Sequence, residues 1–352
     1  MNDNELAISS VCDSLGAGAP VVLVSIVSSE GTLPRHAGSK LIVRSGGRTA
    51  GTIGGGLMEA AAIKLADAAL QDQRSRWMEA QLEGEDAASE EPVCGGTATL
   101  LVDFIPASKE NADFFRRYRD HLAAGRDLYS VTVLRDEADL TDVVGRSLLM
   151  RDGTLETTFA WPPQDLQQLR SELHDVSSTA FLSLAGKRVV VESVNRAKTV
   201  YCFGAGHVAV PTARLSAQTG FVVNVLDDRA DFASRDRFPD ADGVFVIEGF
   251  DHALDGLSID EDSFIVIFTR GHRHDETVLE QALRTNAAYI GMIGSRRKRD
   301  MLFAALRARG VSQAQIDRVH SPIGLPIQAE TPEEIAVSIV AELIQERARQ
   351  RK

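Results

Sequence analysis

The hexapeptide Gly-Ala-Gly-His-Val-Ala at residues 204–209 constrains the fold of this 352-residue chain more than any other feature. It follows an apolar run at residues 199–203 and matches Gly-x-Gly-x-x-Ala, the turn between the first strand and helix of a dinucleotide-binding fold. Gly204 allows the tight turn, and Gly206 lets a pyrophosphate approach the backbone. The helix that follows offers free N–H groups to the anion.

The chain from residue 199 onward alternates short apolar strands with helical segments. The predicted strands cover residues 199–203, 221–226, 244–247, 264–268 and 289–293. Continuous apolar, β-branched runs of this kind are typical of parallel strands that are buried on both faces. The sequence therefore predicts a Rossmann-like dinucleotide-binding domain over residues 197–352. Thr331-Pro332-Glu333-Glu334 predicts the cap of its last helix.

Residues 1–196 predict a separate domain, because a short polar break at residues 195–198 precedes the change of pattern. Its predicted elements are a strand at 21–27, a hairpin of 40–44 and 49–53, a helix with an apolar stripe through Leu57, Ala61, Leu65 and Ala69, and a strand at 97–104. The expected fold class is α/β: a mixed α/β N-terminal domain followed by a C-terminal Rossmann-like parallel-sheet domain.

Charge and composition exclude several classes of partner. The formal net charge of -12 at pH 7 argues against nucleic acid or an anionic membrane, since both attract basic surfaces. The first residues resemble no signal peptide, and no apolar run is long enough to span a bilayer. Three cysteines at scattered spacing fit a reducing compartment. We therefore expect a cytoplasmic protein with neither nucleic acid nor a membrane as its partner.

The end of the second predicted Rossmann strand carries two acids, Asp227 and Asp228. An acid about twenty residues beyond the glycine turn binds a ribose diol in dinucleotide-binding folds and repels a 2′-phosphate, which favours NAD over NADP. His207, inside the turn, is placed to contact the same ligand. The alternative is a Rossmann fold that has lost its ligand.

A basic run at Gly294-Ser295-Arg296-Arg297 follows the last predicted strand of the parallel sheet. Cations at a helix N-terminus oppose the helix dipole, so their presence there suggests that an anion binds. A solvated, positively charged face explains the same residues equally well. The predicted loop at 270–275 contains His272 and His274. Contact with a ligand is favoured for this loop over a metal site.

A second glycine-rich helix start, Gly54-Gly55-Gly56, lies in the N-terminal half. It could cradle a phosphate, and Arg35 in an upstream loop adds a cation. Close backbone packing would explain the same glycines.

Cys94, which precedes Gly95 and Gly96 after an acidic stretch, could ligate a metal or bind sulfur. From the residues alone, a passive small side chain is the favoured interpretation of a lone cysteine.

The motifs together resemble the XdhC/CoxI family of xanthine dehydrogenase and carbon monoxide dehydrogenase maturation factors. The resemblance covers almost the whole chain and rests on seven segments: residues 51–59, 94–96, 203–209, 227–229, 289–299, 322–325 and 331–339. The chain departs from part of the family at Leu57, where some members carry cysteine, so that a metal here would depend on Cys94 alone.

The resemblance implies a chaperone that binds the molybdenum cofactor, as molybdopterin or its dinucleotide form. Such a protein supports sulfuration of the cofactor by a cysteine desulfurase and its insertion into a molybdenum hydroxylase client such as xanthine dehydrogenase. The cofactor carries a phosphate or a pyrophosphate, which the two glycine-rich helix starts could hold. The sequence does not say which domain holds the pterin.

Two other functions fit part of the sequence. The dinucleotide fingerprint also suits an NAD-dependent oxidoreductase, although the sequence shows no clear general acid–base pair placed for hydride chemistry. A non-catalytic nucleotide-sensing scaffold would use the same turn. The sequence leaves the oligomeric state open, and a homodimer is one of the possibilities.

Overall fold

The structure, a computed structural model, describes residues 3–82, 95–137, 140–173, 176 and 178–350. The chain folds into two compact units, Met1–Arg196 and Ala197–Lys352. We call them the N-terminal unit and the Rossmann unit. Cys94 lies outside the described residues.

The described part of the N-terminal unit contains four helices and ten strands. The helices are α1 (Asp3–Gly16), α2 (Gly56–Asp72), α3 (Lys109–Ala123) and α4 (Pro163–Glu172). The strands are β1 (Val21–Gly31), β2 (Lys40–Arg44), β3 (Arg48–Gly51), β4 (Ser75–Leu82), β5 (Gly96–Ile105), β6 (Leu128–Glu137), β7 (Leu140–Met150), β8 (Leu155–Thr157), β9 (Thr179–Leu184) and β10 (Lys187–Val194).

These strands form one antiparallel sheet in the order β3-β2-β1-β5-β4-β7-β6-β10-β9, with β8 paired to β7. The pairing of β1 with β5 runs from Val21 opposite Ile105 to Gly31 opposite Gly96. This long-range pairing brings the loop after β1 beside the start of β5. The predicted hairpin is confirmed, although its second strand ends at Gly51 and residues 52–55 turn into α2.

Helix α2 packs on the sheet through Met58, Ala62, Ala66 and Ala69. The predicted stripe was therefore wrong by one residue over most of its length, and Leu57 is 87% exposed. Small residues fill both sides of this helix, so that alanine periodicity alone could not choose the buried face. Helices α1 and α3 form a further core cluster with the strands of this unit.

The Rossmann unit contains five described helices and six strands. The strands are β11 (Thr199–Phe203), β12 (Val222–Asp227), β13 (Gly243–Val246), β14 (Ser263–Ile267), β15 (Tyr289–Met292) and β16 (Val319–His320). The helices are α5 (Ala209–Gln218), α6 (His272–Ala282), α7 (Arg296–Ala308), α8 (Gln313–Ile316) and α9 (Pro332–Arg349).

All six strands are parallel and lie in the order β13-β12-β11-β14-β15-β16. Counted within the unit, this is the order 3-2-1-4-5-6 of dinucleotide-binding folds, whose ligands lie at the carboxyl ends of the strands where the order reverses. The reversal falls between β11 and β14. The predicted parallel sheet is confirmed, as is the capping box of Thr331 and Glu334 at α9. The short β16 was not predicted.

Candidate functional site

The glycine-rich turn after β11 contains two glycines whose surroundings differ. Gly204 has φ +106°, and a Cβ built there would lie 2.6 Å from the Phe268 carbonyl oxygen. Close approach of the turn to β14 therefore requires this glycine. A Cβ built at Gly206 meets nothing within 4 Å in the part of the chain that the structure describes. Protein packing does not require Gly206, so its place in the turn leaves room for a ligand.

The N–H groups of this turn are divided between the protein and an open surface. The Ala205 N–H donates to Asp227 Oδ2 at 2.8 Å. Among the described residues, Gly206 and His207 donate no backbone hydrogen bond. Helix α5 begins at Ala209 without a side-chain cap, and His207 is exposed. These free N–H groups at the positive end of a helix can hold an anion such as a phosphate.

Asp227 lies at the end of β12 and is 1% exposed. Besides the Ala205 N–H, its carboxylate accepts hydrogen bonds from the N–H, Nε and Nη2 of Arg229, at 2.8–3.0 Å. Burial opposes the charged form, but these hydrogen bonds outweigh it and keep the pKa of Asp227 below its ordinary value. Four donors fill the usual capacity of a carboxylate, so a ribose hydroxyl would have to displace one.

Asp228, the second acid, accepts two hydrogen bonds from Arg270, at 2.9 and 2.7 Å. Arg270 follows β14 and Asp228 follows β12, and these two strands flank β11. The ion pair thus joins the loops on either side of the glycine-rich turn. Two donors leave acceptor capacity on the Asp228 carboxylate.

The start of α7 presents cations at the same edge of the sheet. Ser295 caps the helix by accepting from the Lys298 N–H at 3.2 Å, and Lys298 forms an ion pair with the fully buried Asp275. Arg296 and Arg297 are exposed, and neither pairs with another described residue. A Cβ built at Gly294, one position before the cap, would lie 3.0 Å from Lys298 Cδ.

A groove of about 580 Å³ lies beside Arg296. We call it the α7–α9 groove. Its lining residues come from the first turn of α7, the segment after β16 and the start of α9, and they are Arg296, Arg299, Pro322, Ile323, Gly324, Leu325, Pro326, Ile327, Gln328, Ala329, Ile335 and Ser338. Arg297 is not part of the lining.

A buried glutamate that sequence reasoning missed fixes one wall of this groove. Glu342 accepts hydrogen bonds from the Tyr289 hydroxyl at 2.6 Å and the Gly324 N–H at 2.7 Å, and its other oxygen lies 2.9 Å from His320 Nδ1. Burial raises the pKa of Glu342, but hydrogen bonds from His320, Tyr289 and Gly324 bring it below the ordinary value. The sequence signal was an acid on the apolar face of α9, beside Leu343.

In the glycine-rich turn of the N-terminal unit, backbone N–H groups already donate to a side-chain carboxylate of the same helix. Glu59 Oε2 accepts hydrogen bonds from the Thr52 hydroxyl at 2.7 Å and from the N–H groups of Ile53 and Gly55 at 3.1 Å each. The Gly54 N–H donates to Thr52 Oγ1. Burial raises the pKa of Glu59. The hydrogen bonds from Thr52, Ile53 and Gly55 lower it by more, so the pKa lies below the ordinary value. A phosphate at this turn would have to displace Glu59.

Two other predicted features of the N-terminal unit lie near this turn. Carbon atoms of Pro34 and Arg35 lie within 3.6 Å of a Cβ built at Gly54. The Thr32 N–H donates to the Gly95 carbonyl at 3.2 Å. A Cβ at Gly96 would lie 2.8 Å from the Glu30 carbonyl oxygen, so backbone packing requires that glycine. The structure therefore brings together the Arg35 loop, the Gly54–Gly56 turn and Gly95.

Both described cysteines have a raised pKa, which favours the thiol over the thiolate. Cys202 is buried in β11, and burial raises its pKa to about 12. Burial also raises the pKa of Cys12, whose thiol donates to the Phe115 carbonyl. Within the described ranges, no group of three or more His, Cys, Asp or Glu side chains could hold a metal ion. No helix there is long and apolar enough to cross a membrane.

The fold and these motifs match known families. The XdhC Rossmann domain family matches residues 200–343, and the XdhC and CoxI family matches residues 14–81. The chain belongs to the XdhC and CoxI family. The two matches fall in different units, in keeping with the resemblance that the motifs predicted.

Relatives cover nearly the whole chain. A probable xanthine dehydrogenase subunit of Bacillus subtilis (strain 168) is 29% identical over 333 residues, which are 93% of each chain. The molybdenum cofactor insertion chaperone PaoD of Escherichia coli (strain K12) is 22% identical over 99% of this chain and 90% of PaoD. A solved Bacillus halodurans structure described as a xanthine dehydrogenase has a TM-score of 0.78 at 26% identity, covering 99% of this chain and 97% of that one.

Proposed function

We propose that this chain is a maturation factor that binds the molybdenum cofactor, supports its sulfuration and inserts it into a molybdenum hydroxylase such as a xanthine dehydrogenase. The observation that carries the proposal is the open glycine-rich turn at Gly206, in a chain whose relatives include a named molybdenum cofactor insertion chaperone. The cofactor ends in a phosphate or in a pyrophosphate that joins it to a nucleotide. The free N–H groups of the turn suit either group.

The ribose of a dinucleotide form would contact Asp228 rather than Asp227. Asp227 already accepts four hydrogen bonds, whereas Asp228 accepts two from Arg270. His207, exposed beside the free N–H groups, would contact the phosphate. Because an acid near the ribose repels a 2′-phosphate, the same site would prefer NAD to NADP if it accepts a nicotinamide dinucleotide.

Cys94 would supply the soft ligand for molybdenum or its labile sulfur. Two observations support this role. The carbonyl of its sequence neighbour Gly95 accepts a hydrogen bond from the Thr32 N–H, in the loop before Arg35. Burial raises the pKa of the other two cysteines, Cys12 and Cys202, which disfavours their thiolates. A thiolate, not a thiol, binds a metal. The sulfur donor in this proposal is a cytoplasmic cysteine desulfurase.

The test uses a strain that lacks the native protein and produces the client hydroxylase. We expect Cys94→Ser and Gly206→Val each to lower client activity and the molybdenum bound to the purified chaperone at least tenfold. Cys12→Ser, which keeps a hydroxyl in place of a hydrogen-bonded thiol, is the matched control and should behave as wild type. Wild-type client activity with both test variants would contradict the proposal.

The same protein should be assayed for nicotinamide turnover. The 3-2-1-4-5-6 strand order favours a dinucleotide ligand and is shared by NAD-dependent oxidoreductases. Substrate-dependent reduction of NAD without any effect on the client would replace the maturation role with that activity.

A further inference from the structure

The α7–α9 groove has the size and position of a second ligand subsite. Its volume of about 580 Å³ falls in the range of small-molecule pockets. It lies beside β15 and β16, at the carboxyl edge that also carries the glycine-rich turn. Neighbouring strands lie about 4.8 Å apart, so the ends of β15 and β16 are roughly 10 and 14 Å from the end of β11. One ligand can therefore reach both places.

The lining of the groove combines aliphatic side chains with a cation that has no partner among the described residues. Ile323, Leu325 and Ile335 offer aliphatic walls. Arg299 is committed, since it donates to Asp300 and to the Ser321 carbonyl. Arg296 pairs with no other described residue. A guanidinium beside aliphatic side chains suits a planar ring that carries a carbonyl acceptor.

We propose that the α7–α9 groove binds the ring of a pterin, with Arg296 donating to its 4-oxo group. The 4-oxo group of a pterin is a carbonyl acceptor like O6 of guanine, to which arginine donates. This inference deepens the proposed function and rests on it. It places the phosphate end of the cofactor at Gly206 and the pterin end at Arg296.

The groove is held in shape before any ligand binds. Glu342 accepts the Gly324 N–H and thereby fixes the lining segment to α9. The Ser338 hydroxyl donates to the Leu325 carbonyl at 2.6 Å and fixes a second point of the same segment. A preformed wall reduces the conformational entropy lost on binding.

The test compares two arginines that differ in one respect. Arg296 and Arg297 are adjacent, exposed and equally charged, but only Arg296 lines the groove. The probe is neopterin, a fluorescent pterin without molybdenum or phosphate, titrated against the full-length protein. We expect Arg296→Ala to weaken neopterin binding roughly tenfold and Arg297→Ala to leave it unchanged. Adenosine, whose ring carries an amino group in place of the 4-oxo carbonyl, should be insensitive to Arg296→Ala.

A second variant tests the groove without changing its charge. Ala329 lines the groove, so Ala329→Trp should fill it and abolish neopterin binding at an unchanged melting temperature. Equal losses of neopterin binding in Arg296→Ala and Arg297→Ala would mean that the basic face binds it outside the groove, and would overturn the proposal. Absence of neopterin binding to the wild type at millimolar concentration, or wild-type binding by Ala329→Trp, would also overturn it.

Client activation by the same variants separates this proposal from the proposed function. A wild type that activates the client, together with an Arg296→Ala variant that activates it equally well and binds neopterin normally, refutes the groove and leaves the maturation role standing. A wild type that fails to activate the client refutes the maturation role itself.

Discussion

The two glycine-rich helix starts look alike in sequence and differ in what occupies them. At the N-terminal turn, the N–H groups of Ile53 and Gly55 donate to the Glu59 carboxylate of the same helix. At the Rossmann turn, the Asp227 carboxylate accepts the Ala205 N–H, and the N–H groups of Gly206 and His207 have no acceptor among the described residues.

This difference shows that a glycine-rich helix start predicts that an anion lies there, but not whether that anion is a ligand or a side chain. Free N–H groups at a helix N-terminus attract negative charge, whether it comes from a ligand or from a side chain three residues into the helix. The N-terminal turn is stabilised by its own glutamate. The Rossmann turn keeps the equivalent surface open, which favours a ligand there.

The largest expected effect comes from Gly204, whose role is structural. Gly204→Ala would place a Cβ 2.6 Å from the Phe268 carbonyl oxygen at φ +106°. We expect a loss of about 3–4 kcal/mol in the free energy of unfolding, from strain and overpacking together. Gly206→Ala, two residues away, should cost less than about 1 kcal/mol and instead weaken ligand binding. Denaturant unfolding measures both, and equal destabilisation by the two variants would contradict the distinction.

Asp227 tests whether the carboxylate of the Rossmann turn is structural. Asp227→Asn removes the charge that Arg229 and the Ala205 N–H hold, at a residue only 1% exposed. We expect destabilisation of about 2–3 kcal/mol, because Arg229 is partly hydrated and recovers some solvation. Asp228→Asn is the matched control, with a loss below about 1 kcal/mol and weaker ribose binding. A stable Asp227→Asn with lost ribose binding would reverse the assignments.

Glu59 should act as a replaceable anion. Glu59→Ala leaves the donors of Thr52, Ile53 and Gly55 without their acceptor and should cost about 1–2 kcal/mol. It should also create an anion site, so that sulfate raises the melting temperature of Glu59→Ala more than that of the wild type. A sulfate response that is the same in both proteins would show that the turn binds no anion in place of Glu59.

The smallest effect concerns pH. The pKa of Glu59 in the folded protein lies below its ordinary value of 4.5, so its carboxylate stabilises the fold above that value. This contribution should be lost as pH falls through the lowered pKa, because the unfolded state takes up the proton first. Glu59→Gln should therefore show a shallower loss of stability between neutral and acidic pH than the wild type. Parallel pH profiles would contradict the assignment.

The sequence predicted the Rossmann strands well and the sheet of the N-terminal unit only in part. Parallel strands buried on both faces are continuous apolar runs, and β11 was predicted with its observed bounds. The order of the antiparallel sheet depends on distant pairings, such as Val21 with Ile105, which no local pattern specifies. The two-residue β16 is too short to carry a periodic signal.

The candidate site was predictable in its residue types but not in its contacts. The motif located Gly204 and Gly206, yet only the packing of Phe268 shows that they have different roles. Whether Asp227 faces a ribose or Arg229 depends on side-chain geometry. The Glu342 cluster could have been suspected, since a glutamate next to Leu343 interrupts the apolar face of α9.

Amide hydrogen exchange with and without the dinucleotide form of the molybdenum cofactor tests the central claim most directly, because it reads both glycine-rich turns in one experiment. The account predicts that the cofactor slows exchange in the peptide that contains Gly206 and His207 and leaves the peptide that contains Ile53 and Gly55 unchanged, since Glu59 already holds those N–H groups. Protection at the N-terminal turn, with unchanged exchange at the Rossmann turn, would contradict it.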